Sequence, residues 1–227
     1  MPWTGSPRAV LFDFDGTLVN SVGDIADAMN AVLKAHGFPV HPLEAYRFFV
    51  GEGLETLVRR ALPEDRRATA TLEAVLPAMR AEYADRATRH TRPYDGIPEL
   101  LDALTDRGIP LAICSNKPQE PLEAMVTALL DRWCFLAVVG ARPDLPRKPD
   151  PTGALGIATA LTIPPADWLY LGDTDTDMAT ASAAGMRAVG VLWGLRDAEE
   201  LHQAGAARLV VHPRDVLTEF PRHKREH

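Results

Sequence analysis

The sequence predicts an α/β fold, a doubly wound, Rossmann-like parallel-sheet core with an inserted α-helical cap domain, and three observations carry that expectation. Ala9-Val10-Leu11-Phe12 is an unbroken apolar run, the pattern of a strand buried on both faces of a parallel sheet, and it ends on Asp13. From Arg92 onward, short β-rich runs alternate with helical periodicity, the grammar of βαβ units. Between the two stretches, residues 19–91 read as helical throughout. Residues 1–18 and 92–227 are therefore expected to form the core and residues 19–91 the cap, with crossings at 18–21 and 91–96.

Within the cap, Ser21 and Asp24 have capping-box spacing, with Asp in the usual Glu position. They open a helix whose Val22, Ile25, Ala26, Met29, Val32 and Leu33 keep the 3.6-residue period up to Gly37. A second helical region begins near Pro42 and contains the strand-like Phe48-Phe49-Val50. Leu54, Leu57, Val58, Ala61 and Leu62 then form an amphipathic face before Pro63. Residues 64–90 read as one or two helices, with Pro77 marking a break or kink. In the core, Ile97, Leu100, Leu101 and Leu104 face a helix that stops at Gly108, and Leu111-Ala112-Ile113-Cys114 is the next buried strand. Further strands are expected at 135–139, 168–171, 188–191 and 208–211, with helices near 119–130, 152–161, 176–184 and 197–204.

Composition narrows the functional classes. A chain of 227 residues can bury a sizeable core, and a net charge of -7 argues against a nucleic-acid footprint or a polybasic membrane surface. The basic run Arg222-His223-Lys224-Arg225 reads as a solvated tail. Cys114 and Cys134 lack the paired spacing of a zinc or redox motif, and both are expected to be packing residues. Residues 1–7 contain no apolar segment of signal-peptide length, and no uncharged run reaches the ~18 residues of a membrane span. A cytoplasmic enzyme, monomeric or homodimeric and without nucleic-acid or membrane partners, is the expectation.

In an open α/β sheet ligands bind beyond the carboxyl ends of the strands, which is where Asp13 falls. Asp15 follows two residues later, and Gly16-Thr17 lets the chain turn beside both acids. A second acidic run, Gly172-Asp173-Thr174-Asp175-Thr176-Asp177, follows the strand at 168–171. It is not an EF-hand loop, because Met178 stands where the turn glycine belongs and Ala184 where the twelfth-position Glu belongs. The alternative is that Asp173 meets Asp13 across one crevice. Carboxylates gathered there repel unless protonated or bridged by a cation, and an oxygen-only donor set suits Mg2+ better than zinc. Asp13 and Asp173 are the expected side-chain ligands, with Asp177 close by and Asp175 exposed.

Two further segments complete the expected site. Ser115-Asn116-Lys117 after the second core strand offers a hydroxyl and turn amides to a phosphoryl oxygen, and Lys148 sits in a proline-stiffened loop ahead of a helix. Gly51-Glu52-Gly53 imitates the start of a dinucleotide fingerprint, but Thr56 occupies the third glycine position and the loop lies inside the insert.

Taken in order, Asp13-Phe-Asp15-Gly-Thr17, Ser115-Asn116-Lys117, Lys148-Pro149 and Gly172-Asp173-x-x-x-Asp177 resemble the four motifs of the haloacid dehalogenase superfamily, in its phosphatase branch. Phe49-Val50-Gly51-Glu52-Gly53-Leu54, Tyr94-Asp95-Gly96 and Gly190-Val191-Leu192-Trp193-Gly194 narrow the resemblance to the phosphoglycolate phosphatase group. Asn20 and Asp150 depart from that group's commoner residues. The resemblance, together with the chemistry of paired acids, implies a magnesium-dependent phosphatase acting on a small phosphate ester. Asp13 would be the nucleophile and Asp15 the proton donor and acceptor, its main-chain carbonyl on the metal, with Ser115, Asn116 and Lys148 at the phosphate. It also implies that the 51–53 loop closes over a small chamber, where Glu52 would repel an anionic substrate unless Arg59 or Arg60 compensates. A sugar-phosphate mutase or another phosphatase of the superfamily, and a phospho-accepting signalling module, remain open at this point.

Overall fold

The computed structural model describes residues 5–221, so the basic run 222–225 lies outside the described residues. Six parallel strands form the central sheet: β1 (Ala9–Phe12), β4 (Leu111–Pro118), β5 (Phe135–Ala141), β6 (Trp168–Gly172), β7 (Arg187–Val191) and β8 (Arg208–Val210). Their order is β5-β4-β1-β6-β7-β8. The chain thus builds outward from β1 on one side, returns, and builds outward on the other. The expected doubly wound core is present, and the carboxyl ends of β4, β1 and β6 share one edge of the sheet.

Burial on both faces explains why β1, β4, β6 and β7 could be read as apolar runs, while the edge strands β5 and β8 are only partly buried. Val10 and Phe12 point into one cluster with Leu100, Leu101 and Leu104 of α5 (Ile97–Asp106) and Leu122 of α6 (Gln119–Leu130). Ala9 and Leu11 point into the other, with Ile157 of α7 (Thr152–Ala160) and Met178 and Ala181 of α8 (Asp175–Ala184). The short α9 (Ala198–Gln203) adds Leu201 to that second cluster.

Four α-helices make up the insert: α1 (Val22–Ala35), α2 (Tyr46–Phe49), α3 (Leu54–Ala61) and α4 (Thr69–Ala84). The segments on either side of this insert pair antiparallel as β2 (Val19–Asn20) and β3 (Arg92–Pro93), so the outgoing and returning chain run side by side. Several local expectations are corrected. Phe48 and Phe49 close α2 instead of forming a strand, because Tyr46, Phe49 and His41 pack as one edge-to-face aromatic cluster. Helix α4 runs through Pro77 unbroken. Pro77 and Glu73 are both exposed, so the carbonyl deprived of its donor is on the solvent side. Cys114 is buried as expected, but Cys134 is exposed.

The Ser21–Asp24 capping box is absent, because tertiary partners claim both side chains. Ser21 Oγ donates to Asp15 Oδ1 at 2.6 Å. Asp24 accepts from the His90 N–H at 3.0 and 3.1 Å, from the Thr91 N–H at 2.8 Å and from Thr91 Oγ1 at 2.7 Å. Burial opposes charge on Asp24, but these donors outweigh it and hold the carboxyl below its usual range. Asp24→Ala is expected to cost about 2–3 kcal/mol, measured as a lowered denaturation midpoint. A depressed carboxyl stabilises above its unfolded pKa, so the loss should be full above about pH 4 and should shrink as pH falls further.

Candidate active site

Asp13 ends β1, Asp173 ends β6, and Asp177 sits in the first turn of α8. One carboxylate oxygen from each lies within 4.8 Å of the others, and all three residues are buried. Lys148 is buried among them. Its Nζ donates to Asp177 Oδ1 at 2.7 Å. It also stands 2.9 Å from Asp13 Oδ1, but off the hydrogen-bonding direction, so that oxygen has no hydrogen-bond partner among the described residues.

The chain folds tightly around Asp173. Thr17 Oγ1 donates to its Oδ1 at 2.7 Å and the Leu195 N–H to its Oδ2 at 3.0 Å. Gly16 has φ 89°, and a Cβ there would lie 2.2 Å from Asp173 Oδ2. A Cβ on Gly194 would lie 2.3 Å from Asp173 Cβ. Neither position can carry a side chain, so main chain closes on the carboxylate from two sides. Asp177 Oδ2 accepts from the Thr174 N–H at 3.1 Å and from Thr174 Oγ1 at 2.7 Å, completing a capping box on α8. The Thr-x-x-Asp spacing of residues 174–177 carried that signal, and the sequence reading missed it.

Burial and the charge of Asp177 push the Asp13 carboxyl up to about 6, against the pull of Lys148. Burial, Asp177 and Asp13 push Asp173 well above the usual carboxylate range. Burial disfavours charge on Lys148, yet Asp13 and Asp177 outweigh it and hold the ammonium firmly protonated. One cation among three buried carboxylates leaves surplus negative charge, and the donors are all oxygen. These residues fit a hard divalent cation.

The Asp15 carboxylate is not part of this cluster. It faces Lys117, whose Nζ donates to both of its oxygens at 3.0 Å, and Ser21. Lys117 also donates to Tyr83 Oη of α4 at 2.8 Å, and its Nζ lies 4.7 Å from the centre of that ring. Lys117 therefore ties the insert to Asp15, a connection invisible in the motif that contains it. Ser115, expected after the strand, is buried within β4, where the pairing with β5 shifts register, and its Oγ accepts from the Lys117 N–H at 3.3 Å. The Asn116 side chain, expected at the phosphate, is committed elsewhere. It accepts from the Lys148 N–H at 2.9 Å and donates to the carbonyls of Lys148 at 3.0 Å and Gly51 at 3.2 Å.

Gly51 and Gly53 lie on the site side of the insert loop, while Glu52 turns away to pair with Arg60. Arg59 pairs with Glu55 at 3.1 Å. Neither arginine reaches the chamber, so the expected carboxylate partners are not on its wall. Reciprocal arginines hold the insert down instead: Arg196 donates to the carbonyls of Arg47 and Val50, and Arg47 to that of Leu195 at 3.0 Å. The chamber between insert and core measures about 1050 Å³, with Asp13, Asp15 and Ser115 at its base. It is not the small chamber expected, because the loop closes one side while α4 and α6 flank an open flank beyond Lys117.

Strand-end acids, a buried lysine and a covering helical insert on a Rossmann-like sheet define an acid-centred hydrolase. More specifically, residues 10–191 match the family described as haloacid dehalogenase-like hydrolase, and the chain belongs to that family. It is 33% identical over 218 residues to phosphoglycolate phosphatase 1 of Pseudomonas aeruginosa, covering 94% of this chain and 80% of the relative. It is 37% identical over 195 residues to the phosphoglycolate phosphatase of Rhodospirillum rubrum, covering 83% and 80%. The crystal structure of a predicted phosphoglycolate phosphatase from Haemophilus somnus 129pt superposes with a TM-score of 0.86 at 25% identity, covering 93% of this chain and 96% of that one. No helix among the described residues is long and apolar enough to cross a membrane.

Proposed function

We propose that this chain is a magnesium-dependent phosphatase that hydrolyses a phosphate monoester through an aspartyl-phosphate on Asp13, with residues 19–91 as its cap and 2-phosphoglycolate as the ester suggested by the relatives' names. The observation that carries this reading is the division between two acids only two residues apart. Asp13 is ion-paired with Lys148 inside the three-acid cluster, whereas Asp15 is held outside it by Lys117 and Ser21. That arrangement separates a nucleophile from a proton-transfer group.

An Asp13 oxygen attacks phosphorus and the bond to the leaving oxygen breaks; Asp15, which has to enter this step protonated and released from Lys117 and Ser21, gives that oxygen its proton. Asp15 then takes a proton from the water that attacks the phosphoenzyme, releasing phosphate and restoring Asp13. Lys148 Nζ, beside Asp13, and Ser115 Oγ, on the same chamber wall, would meet the transferring phosphoryl oxygens. Asp13 and Asp173 would hold Mg2+ together with the Asp15 carbonyl, while Asp177 keeps Lys148 in place. The ion would supply charge neutralisation between the acids and the phosphate dianion.

Chelation should stop turnover of any phosphate ester, and added magnesium should restore it. Asp15→Asn should leave the first step intact for an aryl ester and slow the second, so that acid-quenched protein carries covalent phosphate. No such build-up, or full activity in chelator, would remove this reading.

A further inference from the structure

Several contacts that close the insert onto the core are already made. Asn116 reaches Gly51, Lys117 reaches Tyr83, and Arg196 reaches Val50. Even so, about 1050 Å³ remains beside Asp13 and Asp15, just above the ~300–1,000 Å³ typical of pockets that bury a drug-sized ligand. This space is therefore not the gap of a detached lid. Glycolate as a leaving group would occupy only its base.

The walls point to the chemistry of what fills it. Met79, Ala84 and Ala87 face it from α4 and the residues following that helix, and Ala124, Met125 and Ala128 face it from α6. Ala84, Ala124 and Ala128 are exposed, so these short side chains leave accessible apolar wall rather than packed core. Ala124 and Ala128 are one helical turn apart and present a continuous strip. The buried cation on the wall, Lys117, is already held by Asp15 and Tyr83. Arg80 and Arg142 also line the chamber with Glu120 and Asp144, but both arginines are exposed to solvent, and Arg142 pairs with Asp144 at 3.7 Å.

We propose that the chamber binds a leaving group with an extended apolar body, so that phosphate monoesters of longer alkyl or arylalkyl alcohols are better substrates than 2-phosphoglycolate. The proposal rests on the phosphatase reading above and names the substrate class of that same site. The phosphate docks at Asp13 and Lys148, and the apolar body lies along the strip between α4 and α6.

The test compares kcat/KM, with magnesium present, for 2-phosphoglycolate and for ethyl, hexyl and 2-phenylethyl phosphate. All are alkyl esters, so chain size and polarity vary more than the bond being broken. Hexyl and 2-phenylethyl phosphate are expected to exceed both small esters at least tenfold. Ala124→Trp, and independently Ala84→Trp on the opposite helix, should lower kcat/KM for the two long esters at least tenfold and leave ethyl phosphate within twofold. Both sites are exposed, and circular dichroism with the ethyl phosphate rate confirms that each variant folds. A preference for 2-phosphoglycolate, or equal losses on all esters in the folded variants, would overturn the proposal while leaving the phosphatase reading intact. Hydrolysis of none of the esters would overturn both.

Discussion

Asp13→Asn is expected to abolish phosphate-ester hydrolysis and, in the metal-free protein, to raise stability. The first effect should be a fall in kcat on the order of 10⁴ or more, because an amide neither attacks phosphorus effectively nor carries charge to a cation. The second follows from the raised carboxyl. Asp13 moves from 3.8 up to about 6 on folding, chiefly through burial, so the folded state binds its proton more tightly than the unfolded state. Between about pH 4 and 6 the unfolded chain releases that proton first, and stability falls as pH rises. Above pH 6 the ionised side chain opposes folding by roughly 3 kcal/mol relative to a neutral group. Asparagine removes this cost but also weakens the surroundings of Lys148, which keeps Asp177, so a net gain of about 1–3 kcal/mol is expected at pH 8. The gain should disappear near pH 4. Urea midpoints in chelator at the two pH values measure it, and added magnesium should reverse the order by stabilising the wild type alone. A variant less stable than wild type at pH 8 without metal would refute this account of the cluster.

The core was legible because its signal is local. A strand buried on both faces must be apolar at successive positions, and each of the six sheet strands contains such a run or borders one. Acids directly after two of those runs could be read as site residues for the same reason, since the strand order brings β1 and β6 together. The insert was harder. Phe48 and Phe49 have strand-forming side chains, but their helix is decided by His41 and Tyr46, contacts that local preference does not contain. Ser21 and Asp24 had the spacing of a cap, yet donors at residues 90–91 and the acceptor at Asp15 compete more strongly. The links between insert and core were unreadable for a related reason. Lys117 meets Tyr83 across 34 positions, and Arg196 meets Val50 across 146. A lone lysine or arginine in a loop carries no sign of such a partner. Asn116 shows the converse: its motif marked it as important, while its side-chain bonds place it as a tie between loops.

Lys148→Met should have the largest effect on stability. Lys148 is buried between Asp13 and Asp177, and methionine keeps an unbranched, flexible shape while removing the charge. Three carboxylates would then share the interior with no lysine among them, and breaking a buried pair from one side costs about 3–5 kcal/mol. The Asp13 carboxyl should move further upward because the opposing pull of Lys148 is gone. The variant should therefore be most destabilised at neutral and high pH and approach the wild type as acid protonates the cluster. Two additions separate this electrostatic account from simple loss of packing. Magnesium should raise the midpoint of the variant more than that of the wild type, because the ion replaces missing positive charge. Asp177→Asn in the Lys148→Met background should recover part of the loss, because its remaining oxygen can still accept from Thr174 while one unpaired charge disappears. Activity should return in neither case, since the lysine that meets the phosphoryl oxygens is absent. A double variant less stable than the single one would show that Asp177 matters more for capping α8 than for its charge opposite Lys148.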